Sequence, residues 1–250
     1  MDHQQHGIEI HALWRYGGIA MTEIQPVEKV PAFHSWLSWL VTILVPVVLI
    51  LTSVRILLTP AFVQLEYRTP NFPVDPYGFS QQDRLYWSQI ALDYLLNDEG
   101  ISFLEELKFE NGNQVYNARE LKHMLDVKEV LQSALVVWYI SLAGIFLLGG
   151  WAYWGGWMQA FKKGLSRGGW ITTGIIAVIL VAVLVAFSVF FVFFHQIFFE
   201  SGTWVFRFSD TLIRLFPQRF WRDIFIVIGL LSLAGGVALG FGFKTRTDKS

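Results

Sequence analysis

Two histidines carry the first sign of chemistry. His123 precedes one long apolar run and His195 ends another, each within a cluster of polar and aromatic residues. An imidazole titrates near neutrality, so two of them can take a proton from one group and hand it to another. Asp126 stands three residues after His123, on the same face of a helix. A carboxylate there can fix the ring's tautomer and raise its basicity; the plain alternative is a surface ion pair. After His195 come Phe198, Phe199, Glu200 and Trp204. Asp210 then opens a short helical stretch through Arg214, Phe216, Pro217, Phe220 and Trp221. Arginines beside aromatics at a membrane boundary suit an anionic or carbonyl group, and equally suit lipid phosphates.

The rest of the chain says where such a site must sit. Of 250 residues, 54% are hydrophobic, 16% aromatic and only 16% charged, against about 25% charged in a soluble domain. The charges gather between long uncharged stretches. That pattern excludes a soluble globular enzyme, a disordered chain and a nucleic-acid binder with a basic face. There is no cysteine, hence no disulfide, thiolate metal site or cysteine nucleophile.

A membrane span needs about 20 mostly apolar residues. Four segments qualify, at 36–58, 130–154, 170–194 and 224–243. Trp36, Trp39, Trp151, Trp154, Trp157, Trp170, Trp204 and Trp221 fall at or near their ends, as an interfacial belt requires. The first run begins too far in, and is too long, for a cleavable signal. The expected fold is an all-α polytopic membrane protein, a four-helix bundle with a small α+β cap outside.

Short-loop charge sets the expected orientation. The loop at 155–169 carries Lys162, Lys163 and Arg167 without an acid, and the tail at 244–250 carries Lys244, Arg246 and Lys249 against Asp248. Both belong inside, and so does the lead at 1–35, in a multi-pass protein of the cell membrane. The segment at 59–129 then lies outside, with twelve acids against six basic residues. The second outer loop, 195–223, breaks the rule with Arg207, Arg214, Arg219 and Arg222, which implies a task for them. Among six histidines, His3, His6, His11 and His34 fall on the inner side. Only His123 and His195 can share a site, with His123 about 10 Å above the hydrocarbon. His3, His6 and His11 have the look of a metal tract, but their spacing fits no ligand motif.

Within the cap, Ala61 to Tyr67 alternates and predicts a strand. Pro70, Pro73 and Pro76 predict an irregular extended stretch. Ser80 with Asp83 predicts a capped helix running to about Leu96. Asn111-Gly112 predicts a hairpin, and Asn117 with Glu120 a second capped helix that continues into the second span. Two other matches have no catalytic setting. Gly164 to Gly168 fits G-x-S-x-G, but it lies in the inner loop, without the strand-turn-helix elbow that motif needs. Gly236 and Gly240 form G-x-x-x-G in the last span, a helix-packing pattern.

Larger patterns resemble a known family. Arg119-Glu120-Leu121-Lys122-His123-Met124-Leu125-Asp126-Val127-Lys128 leads into the second span. Phe194-His195-Gln196-Ile197-Phe198-Phe199 is followed by Trp204, then Asp210-Thr211-Leu212-Ile213-Arg214-Leu215-Phe216-Pro217, then Phe220-Trp221. Tyr77-Gly78-Phe79-Ser80 and Arg84 add to the match. From about Trp36 to Phe243 the chain is similar to the bacterial lipoprotein intramolecular transacylase family; the lead before Trp36 is longer than the family's.

The resemblance implies a membrane enzyme whose substrate is a diacylglyceryl-cysteine lipoprotein. It implies transfer of the sn-2 acyl chain to that cysteine's own α-amino group, leaving a lyso-form lipoprotein. It also implies that His123 and His195 are the catalytic histidines. The residues are compatible with this. An O-to-N acyl shift needs a deprotonated amine and a proton for the departing glyceryl oxygen. Direct attack needs no acyl-enzyme and no cofactor, and its main demand is that two groups of one lipid meet. Phe199, Trp204, Phe220 and Trp221 are the expected pocket walls, and Arg214 the expected partner of a developing oxyanion. Membrane lipid is the other expected partner, and nucleic acid is not. Two other readings remain open: a redox protein with His123 and His195 as axial haem ligands, and a non-enzymatic membrane partner whose cap docks another protein.

Overall fold

The computed structural model describes residues 32–244. Its helices are α1 (Ala32–Leu57), α2 (Pro60–Glu66), α3 (Gln81–Leu96), α4 (Ser102–Glu105), α5 (Ala118–Trp154), α6 (Met158–Phe198), α7 (Thr211–Leu215) and α8 (Gln218–Gly242). Four of them, α1, α5, α6 and α8, are long and apolar enough to cross a membrane. The histidine tract at His3, His6 and His11 lies outside the described residues, as do Arg246 and Lys249.

α6 is packed between α1 and α8, and glycines make the close approach possible. A Cβ on Gly168 would stand 2.5 Å from Val45 Cβ and 2.9 Å from the Thr42 carbonyl of α1. One on Gly164 would stand 2.6 Å from the Ser38 carbonyl. One position further round, Gly169 meets Gly236 and Gly240 of α8 backbone to backbone. In lipid there is no hydrophobic drive between helices, so contact of this kind is what holds them. Small polar groups complete it: Thr42 Oγ1 donates to the Gly164 carbonyl at 3.3 Å, and Ser166 Oγ to the Gly240 carbonyl at 2.9 Å. The G-x-S-x-G match is thus a packing surface. α5 is tied to α1 through Trp138 Nε1, which donates to Thr52 Oγ1 at 3.0 Å.

Two of the long helices outreach a bilayer. α5 has 37 residues and α6 has 41, about 55 and 60 Å at the α-helical rise, against a hydrocarbon core of about 30 Å. Hence the basic segment expected as a loop is mostly helix: Lys162, Lys163 and Arg167 lie on the first turns of α6. A break at Ala186 (φ −142°, ψ 51°) redirects the last three turns of α6, which carry Ser188 to Phe198.

The cap is helical where an α+β cap was expected. Ala61 to Tyr67 forms α2 and its end, not a strand. Thr59 Oγ1 accepts from the Phe62 N–H and Pro60 occupies the first helical position, start signals that override a short alternation. Val63 and Tyr67 then share one buried face with Glu66. Asn111-Gly112 does turn the chain, with the Phe109 N–H donating to the Asn113 carbonyl at 2.9 Å. Only an isolated bridge, Lys108 to Gln114, forms beside it, and no sheet is found among the described residues. The capping boxes at Ser80/Asp83 and Asn117/Glu120 are both present. The cap core gathers Ala91, Tyr94, Leu104, Val115, Tyr116, Met124, Leu212 and Leu215.

Candidate active site

Each histidine is placed by its own helix. His123 lies in the second turn of α5, held by the Asn117/Glu120 cap. The second oxygen of Glu120 accepts from the Leu212 N–H at 2.6 Å, which locks α7 to the start of α5. Burial raises the Glu120 pKa, against the backbone N–H groups that stabilise its charge. His195 lies in the last turn of α6, beyond the break at Ala186.

The two rings meet. Their centroids are 6.1 Å apart with 22° between planes, and each residue is 8% exposed. Aromatic neighbours close around them. Phe199 packs on both, at 4.9 Å from His123 and 5.5 Å from His195. Phe206 sits 5.3 Å from His123, and Trp204 sits 4.9 Å from His195.

Hydrogen bonds define the rings' chemistry. His195 Nδ1 is 2.8 Å from the Phe191 carbonyl. A carbonyl only accepts, so Nδ1 carries the proton, and in the neutral ring Nε2 keeps a free lone pair. Among the described residues His123 Nδ1 is buried without a partner, and so is the indole Nε1 of Trp204. A buried unmet polar group costs about 1–3 kcal/mol, so both atoms are fit to meet a ligand. His123 lies before the apolar part of α5, and its pKa is lowered to about 4, by burial first and then by His195, against Asp126.

Both rings open on a cavity of about 720 Å³ between the bundle and the cap. Trp204, Arg214, Phe220 and Trp221 line it with them. Phe191, Val192 and Ile224 form its apolar side towards α6 and α8, while Arg84 and the stretch from Pro73 to Tyr77 form its cap side. Phe199 touches the rings without lining the cavity.

Two expected roles meet competition. Asp126 makes no hydrogen bond to His123; it accepts from Lys122 Nζ at 2.8 Å, the surface pair that was the plain alternative. Arg214 Nε and Nη2 grip Asp75 at 3.2 and 2.9 Å, and its guanidinium lies 3.5 Å over the Phe79 ring. Burial acts to raise the Asp75 pKa; the Arg214 bonds and the Phe79 N–H outweigh it and hold the carboxyl low. Arg219 reaches the Pro70 carbonyl at 2.9 Å, so both arginines pin the irregular stretch that roofs the cavity. Phe206 and Glu120 are site-building residues that sequence reasoning did not place there. Glu120 announced itself as a helix cap and within the pattern from Arg119 to Lys128, without a role in the site, and Phe206 carries no local signal.

Fold and site together define a polytopic helical membrane protein with a paired-histidine pocket under a cap. The family model for "Lipoprotein intramolecular transacylase Lit" matches residues 39–221. An uncharacterized protein of Aquifex aeolicus (strain VF5) is 30% identical over 209 residues, which is 82% of this chain and 92% of that one. The membrane-integral lipoprotein intramolecular transacylase of Bacillus cereus shares the fold at 17% identity and a TM-score of 0.66, over 83% of this chain and 93% of that one. A histidine-to-arginine form of that protein matches with a TM-score of 0.50 at 16% identity, over 85% and 91%. The chain belongs to the lipoprotein intramolecular transacylase family, a family of membrane enzymes.

Proposed function

We propose that this enzyme moves the sn-2 acyl chain of a diacylglyceryl-cysteine lipoprotein onto the cysteine's own α-amino group, with His123 and His195 as general acid and base. The observation that carries the reading is the convergence of two buried imidazoles on one cavity with an apolar side. The substrate's glyceryl ester sits beside the rings while its acyl chains extend between α6 and α8. In this reading the cap faces outward, both termini are cytoplasmic, and the membrane-crossing stretches keep the bounds expected above, with 158–169 a helical part of the inner segment.

The chemistry balances without an outside reactant. An ammonium loses its proton readily on entering an apolar pocket, so the substrate amine attacks as the free base. Its nitrogen bonds to the sn-2 ester carbonyl carbon. His195 Nε2 takes the proton released by that nitrogen. The carbon–oxygen bond to glycerol breaks as His195 passes its proton through His123 to the departing oxygen, which leaves both rings neutral. The Trp204 N–H donates to the carbonyl oxygen as it gains charge, in a site where water is largely excluded. Phe220 and Trp221 keep the lipid folded, which supplies proximity, while Phe199 backs the two rings. Asp126 and Arg214 act at one remove: Asp126 through its field on His123, and Arg214 by holding the roof through Asp75.

The test is tandem mass spectrometry of a lipoprotein N-terminus from cells with and without this enzyme. An intramolecular shift leaves the parent mass unchanged. The expected product fragments to an N-acyl cysteine and a monoacyl glyceryl group. Two acyl chains still on the glyceryl group, or a third acyl chain on the parent, overturns the reading.

A further inference from the structure

Arg84 sits in the first turn of α3, 4% exposed. Its guanidinium lies 4.7 Å from the Tyr67 ring centroid and 5.0 Å from that of Phe72. Nη1 donates to the Pro73 carbonyl at 2.7 Å, and buried Nε has no partner. Among the described residues no carboxylate pairs with it. Asp75 is the nearby acid, and its oxygens already accept from Arg214 and from the Phe79 N–H. Asp75 is therefore committed to Arg214, and an unmatched positive charge lines the cavity wall. A guanidinium keeps its proton in proteins, so that charge waits for a ligand.

The bundle side of the same cavity is apolar, at Phe191, Val192 and Ile224. A ligand that suits both walls joins acyl chains to an anionic oxygen centre. Free phosphate answers the charge and not the apolar wall. A neutral diacylglycerol answers the wall and leaves Arg84 unmatched. With Nη1 on the Pro73 carbonyl, Nε is the buried N–H of Arg84 left without a partner among the described residues, a charged donor suited to a phosphate oxygen. We propose that Arg84 anchors the phosphodiester of an anionic glycerophospholipid whose glycerol diester body lies in this cavity. The binding does not depend on the transacylase reading. That such a lipid is the resting occupant, displaced by substrate, does rest on it, because the two share a diacylglyceryl body.

The experiment is isothermal titration calorimetry on the full chain in a neutral maltoside micelle. The probes are dihexanoylphosphatidylglycerol, dihexanoylglycerol and inorganic phosphate. The anionic lipid is expected to bind at least about tenfold more tightly than the neutral one, as a charge-assisted hydrogen bond to a buried guanidinium implies. Arg84→Met removes that preference and leaves the neutral lipid's affinity within about twofold, since apolar contact area is kept. Arg84→Lys retains part of it. Equal affinities for the two lipids in the wild type overturn the proposal, as does a full preference surviving in Arg84→Met. Binding of phosphate alone as tight as the anionic lipid's assigns the site to a free anion and also overturns it. If Arg84→Met fails to fold, the wild-type ratio and its fall at raised salt decide.

Discussion

His123 and His195, on α5 and α6, stand 6.1 Å apart in one aromatic enclosure, with 22° between their planes. The Phe191 carbonyl sets the tautomer of one, and the other has a buried nitrogen free for a ligand. This asymmetry distinguishes the pair chemically and makes each histidine separately testable.

Replacing either histidine with alanine is expected to lower lyso-lipoprotein formation by about 10²- to 10⁴-fold, the usual share of a positioned acid or base. Ser166→Ala is expected to leave it unchanged, because Ser166 serves helix packing. Both rings must start neutral, and the His123 pKa is lowered to about 4, so protonation of His123 sets no acid limb within the usual histidine range. Assays of the purified variants on a synthetic diacylglyceryl lipopeptide measure both. Full activity in both histidine variants would sink the mechanism.

Trp204→Phe keeps a ring against His195 and removes one N–H. If that N–H meets the reacting carbonyl oxygen, kcat falls on the order of 100-fold with KM little changed. A benzothienylalanine residue at the same position, isosteric but without the N–H, should reproduce the loss. A change confined to KM would make Trp204 a wall and nothing more.

Glu66 offers a test of pH dependence. It is buried in the cap, and its pKa is raised from 4.5 to about 7, by burial first and then by Asp223, against Arg219 and Arg222. Between those values the native protein holds a proton that the unfolded chain has released. Stability therefore falls as pH rises through this window, and the penalty is complete above about 7. Glu66→Gln should raise Tm at pH 8 relative to the parent and change it little at pH 4. Parallel thermal melts in detergent check the sign.

Gly168→Val tests the α1–α6 contact. The new side chain meets Val45 and the Thr42 carbonyl, both too close to yield without moving α1. A loss of about 1–3 kcal/mol follows from overpacking, read as a lower Tm with activity lost in proportion to unfolding. Gly174→Ala, where a Cβ meets nothing within 4 Å, is the neutral control.

What sequence alone determined follows from local rules. Apolar runs of span length and the Asn117/Glu120 and Ser80/Asp83 boxes depend on neighbours in the chain, and all are found in the structure. Two local readings failed for a local reason: the alternation from Ala61 to Tyr67 lost to Thr59-Pro60, and the basic segment at 155–169 continued the helix it preceded. That His123 and His195 share a site followed from sequence only as a matter of sides. Their meeting was decided by the break at Ala186 and by Glu120, which binds α7 to α5 across the fold. Tertiary structure alone decided which charges are free. Asp126 and Arg214 stood beside the right residues in sequence, yet Lys122 and Asp75 hold them, while Arg84 was left buried without a counter-charge among the described residues. An ion pair forms between groups brought close in space, and no spacing along the chain records that Asp75 would meet Arg214 and not Arg84.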